Sequence, residues 1–546
     1  MYKHFLSVLS AVIISILPAT AQGTFQRPKL VVGVVIDQMR WDYLYRYQNR
    51  FEEDGFKRLM HEGFNCENTM LNYIPAVTAI GHTSLYTGSV PAIHGIAGND
   101  FHINGKQTYC TDDANVSTVG STSDAGKMSP RNLQTTTIGD ELHLATNYQS
   151  KVISISLKDR AAILPGGHTA DGAYWFDAET GNFITSTYYR NELPEWLDKF
   201  NDKQLAKQYL SKDWNTLYPI ESYKKSCVDN NDYETPFPNT AAPTMPVATS
   251  KIMETEGYGL IRNTPYGNTI TIDLALAAID GEHLGNRGET DMLAISLSST
   301  DYIGHQFGTY AIETEDTYLR LDRDIARLLT TLDEKIGKGE YLLFLTADHA
   351  AAHNFKFLKD KNIPAGGWDI EKTKESLNNN LKSTFKTDKN LVSGLLNYQI
   401  FLDNEKIDSL GIDKGDVISS AINYIKRGEG VYCAVEQENA GTATIPSPIK
   451  DRIINGYYPG RSGEIQIIMS PGWYGLESEE TGGTDHGVWH PYDTHVPLIF
   501  FGSGIKPGHT FAPVDFTDIA ATICALLRIQ MPDGCIGKPI ADLTDK

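Results

Sequence analysis

The chain has 546 residues, of which 41% are hydrophobic and 21% charged, and a formal net charge of −20. A surface this acidic disfavours nucleic acid and anionic membranes as partners, and it obliges any site for an anion to supply its own local positive charge. Length alone suggests about three or four domains, whereas the motifs below argue for one large domain carrying insertions.

Residues 1–21 read as an export signal. Lys3 and His4 give a weakly basic start, Phe5 to Leu17 is a nearly unbroken apolar run, and Ala19-Thr20-Ala21 is a small-x-small cleavage site. The run is shorter than the roughly 20 residues a bilayer span needs. Gln22 follows the cleavage site, where a lipoprotein would carry cysteine. A soluble, periplasmic or secreted protein is expected over 22–546, since no second apolar run is long enough to span a membrane. The sequence leaves its oligomeric state open, a monomer being allowed. The six cysteines (66, 110, 227, 433, 524 and 535) never form CxxC. In an exported chain an even number favours disulfides over metal ligation, with Cys524 and Cys535 the nearest pair in sequence.

Short β-branched apolar runs, in order Leu30–Ile36, Val152–Leu157, Met292–Leu297, Tyr341–Thr346 and Val496–Phe501, predict buried strands. Amphipathic stretches such as Thr317–Leu332 predict helices between them. The alternation predicts a three-layer α/β/α sandwich on a mostly parallel sheet. Two stretches, about 166–285 and 355–480, break the rhythm and read as insertions that cap a site at one edge of the sheet.

Several of these strands run into acidic and imidazole side chains. Leu30–Ile36 ends at Asp37, Met292–Leu297 leads to Asp301 and His305, Tyr341–Thr346 leads to Asp348-His349, and a glycine-rich loop carries Asp485-His486. Ligands in open α/β sheets bind at the carboxyl ends of strands, so these side chains converge where a site is expected. Asp301 and His305, spaced i to i+4, share one face of a helical turn. Three Asp and three His suit two zinc ions, three ligands each, with an open position on each metal. Any one of them alone would be an ordinary helix cap or structural histidine. His82, His94, His168, His353, His490 and His495 are read as structural or outer residues.

Between Pro75 and Gly88 a helix is expected to start near Thr78, which puts its hydroxyl where free backbone N–H groups attract an anion. The local sequence fits a plain helix cap equally well; a neighbouring metal would make the hydroxyl a nucleophile. Lys158 and Arg160, two apart after a strand, are expected to project together in an extended conformation and to supply the local positive charge. Asn99 would donate one more hydrogen bond. The alternative is a surface basic pair held by Asp159.

Taken together, Asp37-Gln38-Met39-Arg40-x-Asp42, Pro75-Ala76-Val77-Thr78, Lys158-Asp159-Arg160, Asp301-x-x-x-His305, Asp348-His349 and Thr484-Asp485-His486-Gly487 resemble the alkaline phosphatase superfamily. The likeness is greatest to the phosphate-irrepressible alkaline phosphatases of bacteria (the PafA type) and covers nearly the whole mature chain. The resemblance implies hydrolysis of phosphate monoesters through a covalent phosphothreonine on Thr78. It implies one zinc on Asp301, His305 and His486, and another on Asp37, Asp348, His349 and the Thr78 oxygen. Asn99, Lys158 and Arg160 would hold the other phosphoryl oxygens. The best-known members use serine and a third, magnesium, site; here threonine stands in its place and no spare carboxylate cluster suggests magnesium. Two rivals remain: a phosphodiesterase or nucleotide pyrophosphatase on the same fold, and a non-catalytic exported protein that binds zinc or phosphate.

Overall fold

The structure, a computed structural model, describes residues 26–476 and 482–544; the export signal expected over 1–21 lies outside them. The strands and helices that position the site follow in chain order. They are β1 (Leu30–Ile36), α1 (Thr78–Thr87), β2 (Val152–Ser156), α2 (Asp159–Gly166), β3 (Gly172–Asp177), β4 (Asp291–Leu297), α3 (Ser299–Phe307), α4 (Ile312–Leu332) and β5 (Tyr341–Thr346). Strands β1, β2, β4 and β5 are buried along their whole length, as expected of parallel strands covered on both faces.

In space these five run β5-β1-β4-β2-β3 and every neighbouring pair is parallel. Their carboxyl ends therefore lie along one edge. Helices pack on the sheet in two groups, one built on Tyr266–Gly281 and α4, the other on α1, α2 and Asp518–Leu527. This is the α/β sandwich the sequence predicts. The stretch 166–285 is not all cap, because β3 and Asn182–Ser186 continue the central sheet.

Within the second stretch lies a smaller sheet, separate from the central one. Strands β6 (Val392–Leu396), β7 (Gln399–Leu402), β8 (Val431–Glu436) and β9 (Ile465–Met469) make an antiparallel sheet in the order β6-β7-β9-β8. Helices Ile370–Phe385 and Lys414–Ile425 cover it, burying Leu377, Leu381, Val417 and Ile467 in a core of its own. The chain then re-enters the main sheet as β10 (Leu498–Gly502), antiparallel to β5. The run expected as one strand over Val496–Phe501 is split at Pro497, which has no N–H to give a ladder. His495–Val496 instead pairs with Thr69–Met70.

Helix α1 is buried on all sides. Its small residues permit this: a Cβ on Gly81 would lie 2.3 Å from the Asp348 carbonyl oxygen. Gly88 ends the helix at φ +62, the left-handed conformation glycine adopts without strain. The expected disulfides are absent: all six cysteines are free thiols.

Candidate metal and phosphate site

Each strand end delivers the residue its sequence predicts. Asp37 follows β1, Asp301 sits in the first turn of α3 with His305 in its last turn, Asp348 and His349 follow β5, and His486 comes from the loop after Gly482. The side chains assemble into two triads. In each, Asp301/His305/His486 and Asp37/Asp348/His349, the ligand atoms lie within 4.8 Å of one another. Asp301 Oδ1 is 3.1 Å from His305 Nε2 and 3.6 Å from His486 Nε2. His349 Nε2 is 3.6 Å from Asp37 Oδ1 and 3.5 Å from Asp348 Oδ2.

The three imidazoles are oriented alike. Nδ1 of His305, His349 and His486 lies 3.0, 3.0 and 2.7 Å from the carbonyl oxygens of Thr484, Ala350 and Ala76. A carbonyl only accepts, so Nδ1 carries a proton and Nε2 faces inward, the orientation a metal-binding histidine needs. Asp37 Oδ1, Asp348 Oδ2 and His349 Nε2 are buried without a hydrogen-bond partner. Unpartnered buried polar atoms are costly, and one divalent cation satisfies all three. The nitrogen and carboxylate donor set fits zinc.

Without a cation the site is electrostatically uneven. Burial, and then the Asp348 carboxylate, push Asp37 well above the usual carboxylate range. Burial also opposes ionisation of Asp301, but His305 and Lys158 outweigh it and hold that carboxyl low. Burial opposes a charge on His305 too; Asp301 overrides it and raises the imidazole to about 9. Burial, with His349 and His305 nearby, drives His486 well below its ordinary value.

Thr78 is the first residue of α1, preceded by extended Val77. Its Oγ1 lies 3.3 Å from Lys158 Nζ, which also donates to Asp37 Oδ2 at 2.7 Å and Asp301 Oδ2 at 2.6 Å. Lys158 thus bridges the triads through their outer oxygens and leaves the inner Oδ1 atoms facing the imidazoles. Burial works against its charge, but the two carboxylates outweigh that and raise its pKa.

The strand alternation expected for Lys158 and Arg160 does not hold. The strand stops at Ser156, Lys158 caps α2 and Arg160 lies in its first turn. The Asp159 carboxylate is taken up by the Tyr109 and Thr111 hydroxyls and the Arg160 backbone N–H. The Arg160 guanidinium donates to Tyr109 Oη at 3.0 Å, and its Nε is buried without a partner. Asn99 Oδ1 accepts the Ala79 N–H at the start of α1, which leaves its amide group to donate elsewhere. Of the histidines read as outer residues, His82 backs the site, 3.3 Å from Asp348 Oδ2 and hydrogen-bonded to Thr78 O and Ser296 Oγ.

A cavity of about 960 Å³ opens beside the His305/His486 triad. Asn99, Tyr302, Asn397, Tyr398 and Tyr474 line it, with Thr235–Pro238 on one side. That wall is tied to the His486 loop by the Gly483 N–H, which donates to Tyr233 O. Next to this wall Glu234 is buried; burial pushes its carboxyl up to about 8 although Asn231 donates to it.

Sequence reasoning passed over Gln38. Its side-chain Nε2 donates to Asp301 Oδ1 at 2.7 Å and its backbone N–H to Asp348 Oδ1 at 3.2 Å, so one residue spans both triads. It does so at φ +64, a conformation uncommon outside glycine. Its place directly after Asp37 was the available signal. Tyr109 and the Asn397-Tyr398 pair, remote from every motif, gave none.

Residues 31–493 match the family described as type I phosphodiesterase / nucleotide pyrophosphatase. The chain belongs to this family, within the alkaline phosphatase superfamily. Among family relatives, "Alkaline phosphatase PhoV" of Synechococcus elongatus is 50% identical over 528 residues, 96% of this chain and 94% of that protein. "Alkaline phosphatase PafA" of Elizabethkingia meningoseptica is 48% identical over 544 residues, 99% and 98% of the two chains. A crystal structure of wild-type PafA superposes with a TM-score of 0.92 at 48% identity, covering 95% of this chain and 99% of that one. A protein named "Calcium-transporting ATPase", from Myroides odoratus, is 50% identical over 530 residues, 96% of each chain. Among the described residues of the present chain, no helix is long and apolar enough to cross a membrane.

Proposed function

We propose that this family member is an exported phosphate monoester hydrolase that uses Thr78 as nucleophile and two zinc ions. The observation that carries the proposal is the Thr78 hydroxyl at a helix N-terminus, 3.3 Å from a buried ammonium and beside two Asp/His triads with unpartnered inward atoms. The names of the relatives PhoV and PafA support the same chemistry. When bound, the metals would lower the pKa of the Thr78 hydroxyl and neutralise the departing oxygen.

The protein's own part is positioning and charge. Thr78 Oγ1, its proton given up to solvent, attacks phosphorus; the ester oxygen leaves and takes a proton from water as the alcohol, and a phosphothreonine forms. Water then attacks the same phosphorus, the bond to Thr78 Oγ1 breaks, and inorganic phosphate is released. Lys158 steadies the charged Thr78 oxygen and holds Asp37 and Asp301 at fixed separation. The Arg160 guanidinium, with its buried unpartnered Nε, and the Asn99 amide receive the non-bridging oxygens. The departing alcohol occupies the cavity beside His305 and His486.

The rival is a diesterase, after which the family is named. A diester presents less negative charge, so it gains less from Arg160 and Lys158. A charge-assisted hydrogen bond contributes about 1.5–3 kcal/mol. Arg160→Ala should therefore slow an aryl phosphate monoester by roughly one to two powers of ten and its methyl diester much less. kcat/KM for both substrates, on samples with zinc content measured, provides the test. A parent enzyme that favours the diester, or a variant that slows both equally, rejects monoester specificity.

A further inference from the structure

The cap reaches the catalytic floor through the tip of hairpin β6–β7. Leu396 and Gln399 close the ladder, leaving Asn397 and Tyr398 as a two-residue turn at φ +54 and +61. Such a turn needs the left-handed conformation twice, which Asn accepts and for which glycine is preferred second. A bulky side chain at the second position is disfavoured. Backbone held in a sparsely populated conformation points to a role for the side chain that imposes it.

Both side chains reach the site. Asn397 Nδ2 donates to Asp100 O at 3.1 Å, and Gly98 approaches so closely that a Cβ there would lie 2.3 Å from that nitrogen. Asn99, between these two, meets the N-terminus of α1. On the other side Tyr398 Oη accepts the Gly475 N–H at 2.8 Å and lies 3.5 Å from His486 O. Its ring lies against Gly487, where a Cβ would be 3.0 Å from Tyr398 Cε2 and where φ is +110. The Tyr398 carbonyl accepts from Ile467 N at 2.8 Å and Gln466 Nε2 at 3.1 Å, which fixes the tip to strand β9.

We propose that the Asn397-Tyr398 turn is a positioning clamp that sets two arms of the site at once: Asn397 holds the Asn99 arm against the phosphoryl group, and Tyr398 holds the His486 arm against its metal. The clamp rests on the two-metal hydrolase proposed above. It makes the cap part of the catalytic geometry, so each half of the turn governs a different measurable property.

Asn397→Gly and Tyr398→Gly keep the turn, because glycine takes positive φ freely. Tyr398→Phe keeps the buried ring and removes only the hydroxyl contacts. Zinc per chain is titrated against a chelator, inhibition by inorganic phosphate is measured at saturating zinc, and the melting temperature is recorded for each. Tyr398→Gly should weaken one of two zinc sites by about tenfold or more, as expected when the support of a ligand is lost. Tyr398→Phe should shift the same site in the same direction by less. Asn397→Gly should retain zinc like the parent yet bind inorganic phosphate about fivefold more weakly, the scale of one lost hydrogen bond. The clamp is overturned if both glycine variants keep the parent's zinc and phosphate affinities, or if both lose the two together in step with a fall in melting temperature. A parent that binds two zincs but hydrolyses no monoester removes the proposed function and leaves the zinc arm of the clamp to stand or fall by the Tyr398 variants. A parent that binds no zinc overturns both.

Discussion

The floor of the site and the cap above it are built on opposite principles. The cap buries Leu377, Leu381, Val417 and Ile467 against one another on a small antiparallel sheet. The floor buries Asp37, Asp348 and His349 completely and leaves an atom of each without a partner. One region has an apolar core of its own; the other keeps buried polar atoms unpartnered within the surrounding sheet. A fold tolerates such a floor when the loss is local and a ligand offsets it, so the place where a protein departs from good packing marks where it binds.

The proposed zinc ions separate the two regions most sharply. Chelation should abolish aryl phosphate hydrolysis, by more than roughly three powers of ten, and lower the melting temperature, with both restored by zinc. An unchanged melting temperature in a verified zinc-free sample would mean the floor is self-sufficient. Next in size is a cavity in the cap. Leu381→Ala should cost about 2–5 kcal/mol of stability, while the zinc-loaded enzyme keeps kcat/KM within about threefold at 25 °C, since Leu381 belongs neither to the triads nor to the cavity lining. A loss of activity as deep as that on chelation would merge cap and floor into one unit.

The smallest effect concerns the residue next to the cavity wall, Glu234, a buried acid that belongs to neither triad. Its carboxyl is pushed up from 4.5 to about 8 by burial, so the folded chain holds a proton that the unfolded chain releases. That contribution to stability is present in full below about pH 4.5 and is lost as pH rises through about 8. Glu234→Gln should therefore melt a few degrees above the parent at pH 9 and together with it at pH 5. Equal curves at both values would show that this acid, unlike the floor carboxylates, is adequately solvated.

The legibility of the sequence followed the same division. β1 and β5 were bounded correctly because buried parallel strands are continuous apolar runs. Helix α4 begins at Ile312 rather than the expected Thr317; its first turn carries Glu313 and Glu315 and Asp316 follows, all buried, which no amphipathic pattern anticipates. Strand ends were legible, and with them the triad residues, since the topology gathers carboxyl ends. Contacts made across the fold were not. Gln38 spans two triads, Tyr109 meets Arg160, and the cap hairpin meets the Asn99 and His486 loops. Such contacts depend on how separate segments dock, and no local spacing encodes that.

The three inward-facing histidines are steered by carbonyl oxygens of Thr484, Ala350 and Ala76, groups that every residue type possesses. No single side-chain replacement at those positions deletes the acceptor. The tautomers are in that sense insulated from point mutation, and the vulnerability moves to whatever fixes the path of the chain. Gly483 and Gly487 take left-handed φ on either side of His486, and a Cβ on Gly483 would lie 1.8 Å from His305 O. Tolerance among the polar neighbours and intolerance at these glycines is the substitution pattern such a site would leave in its descendants.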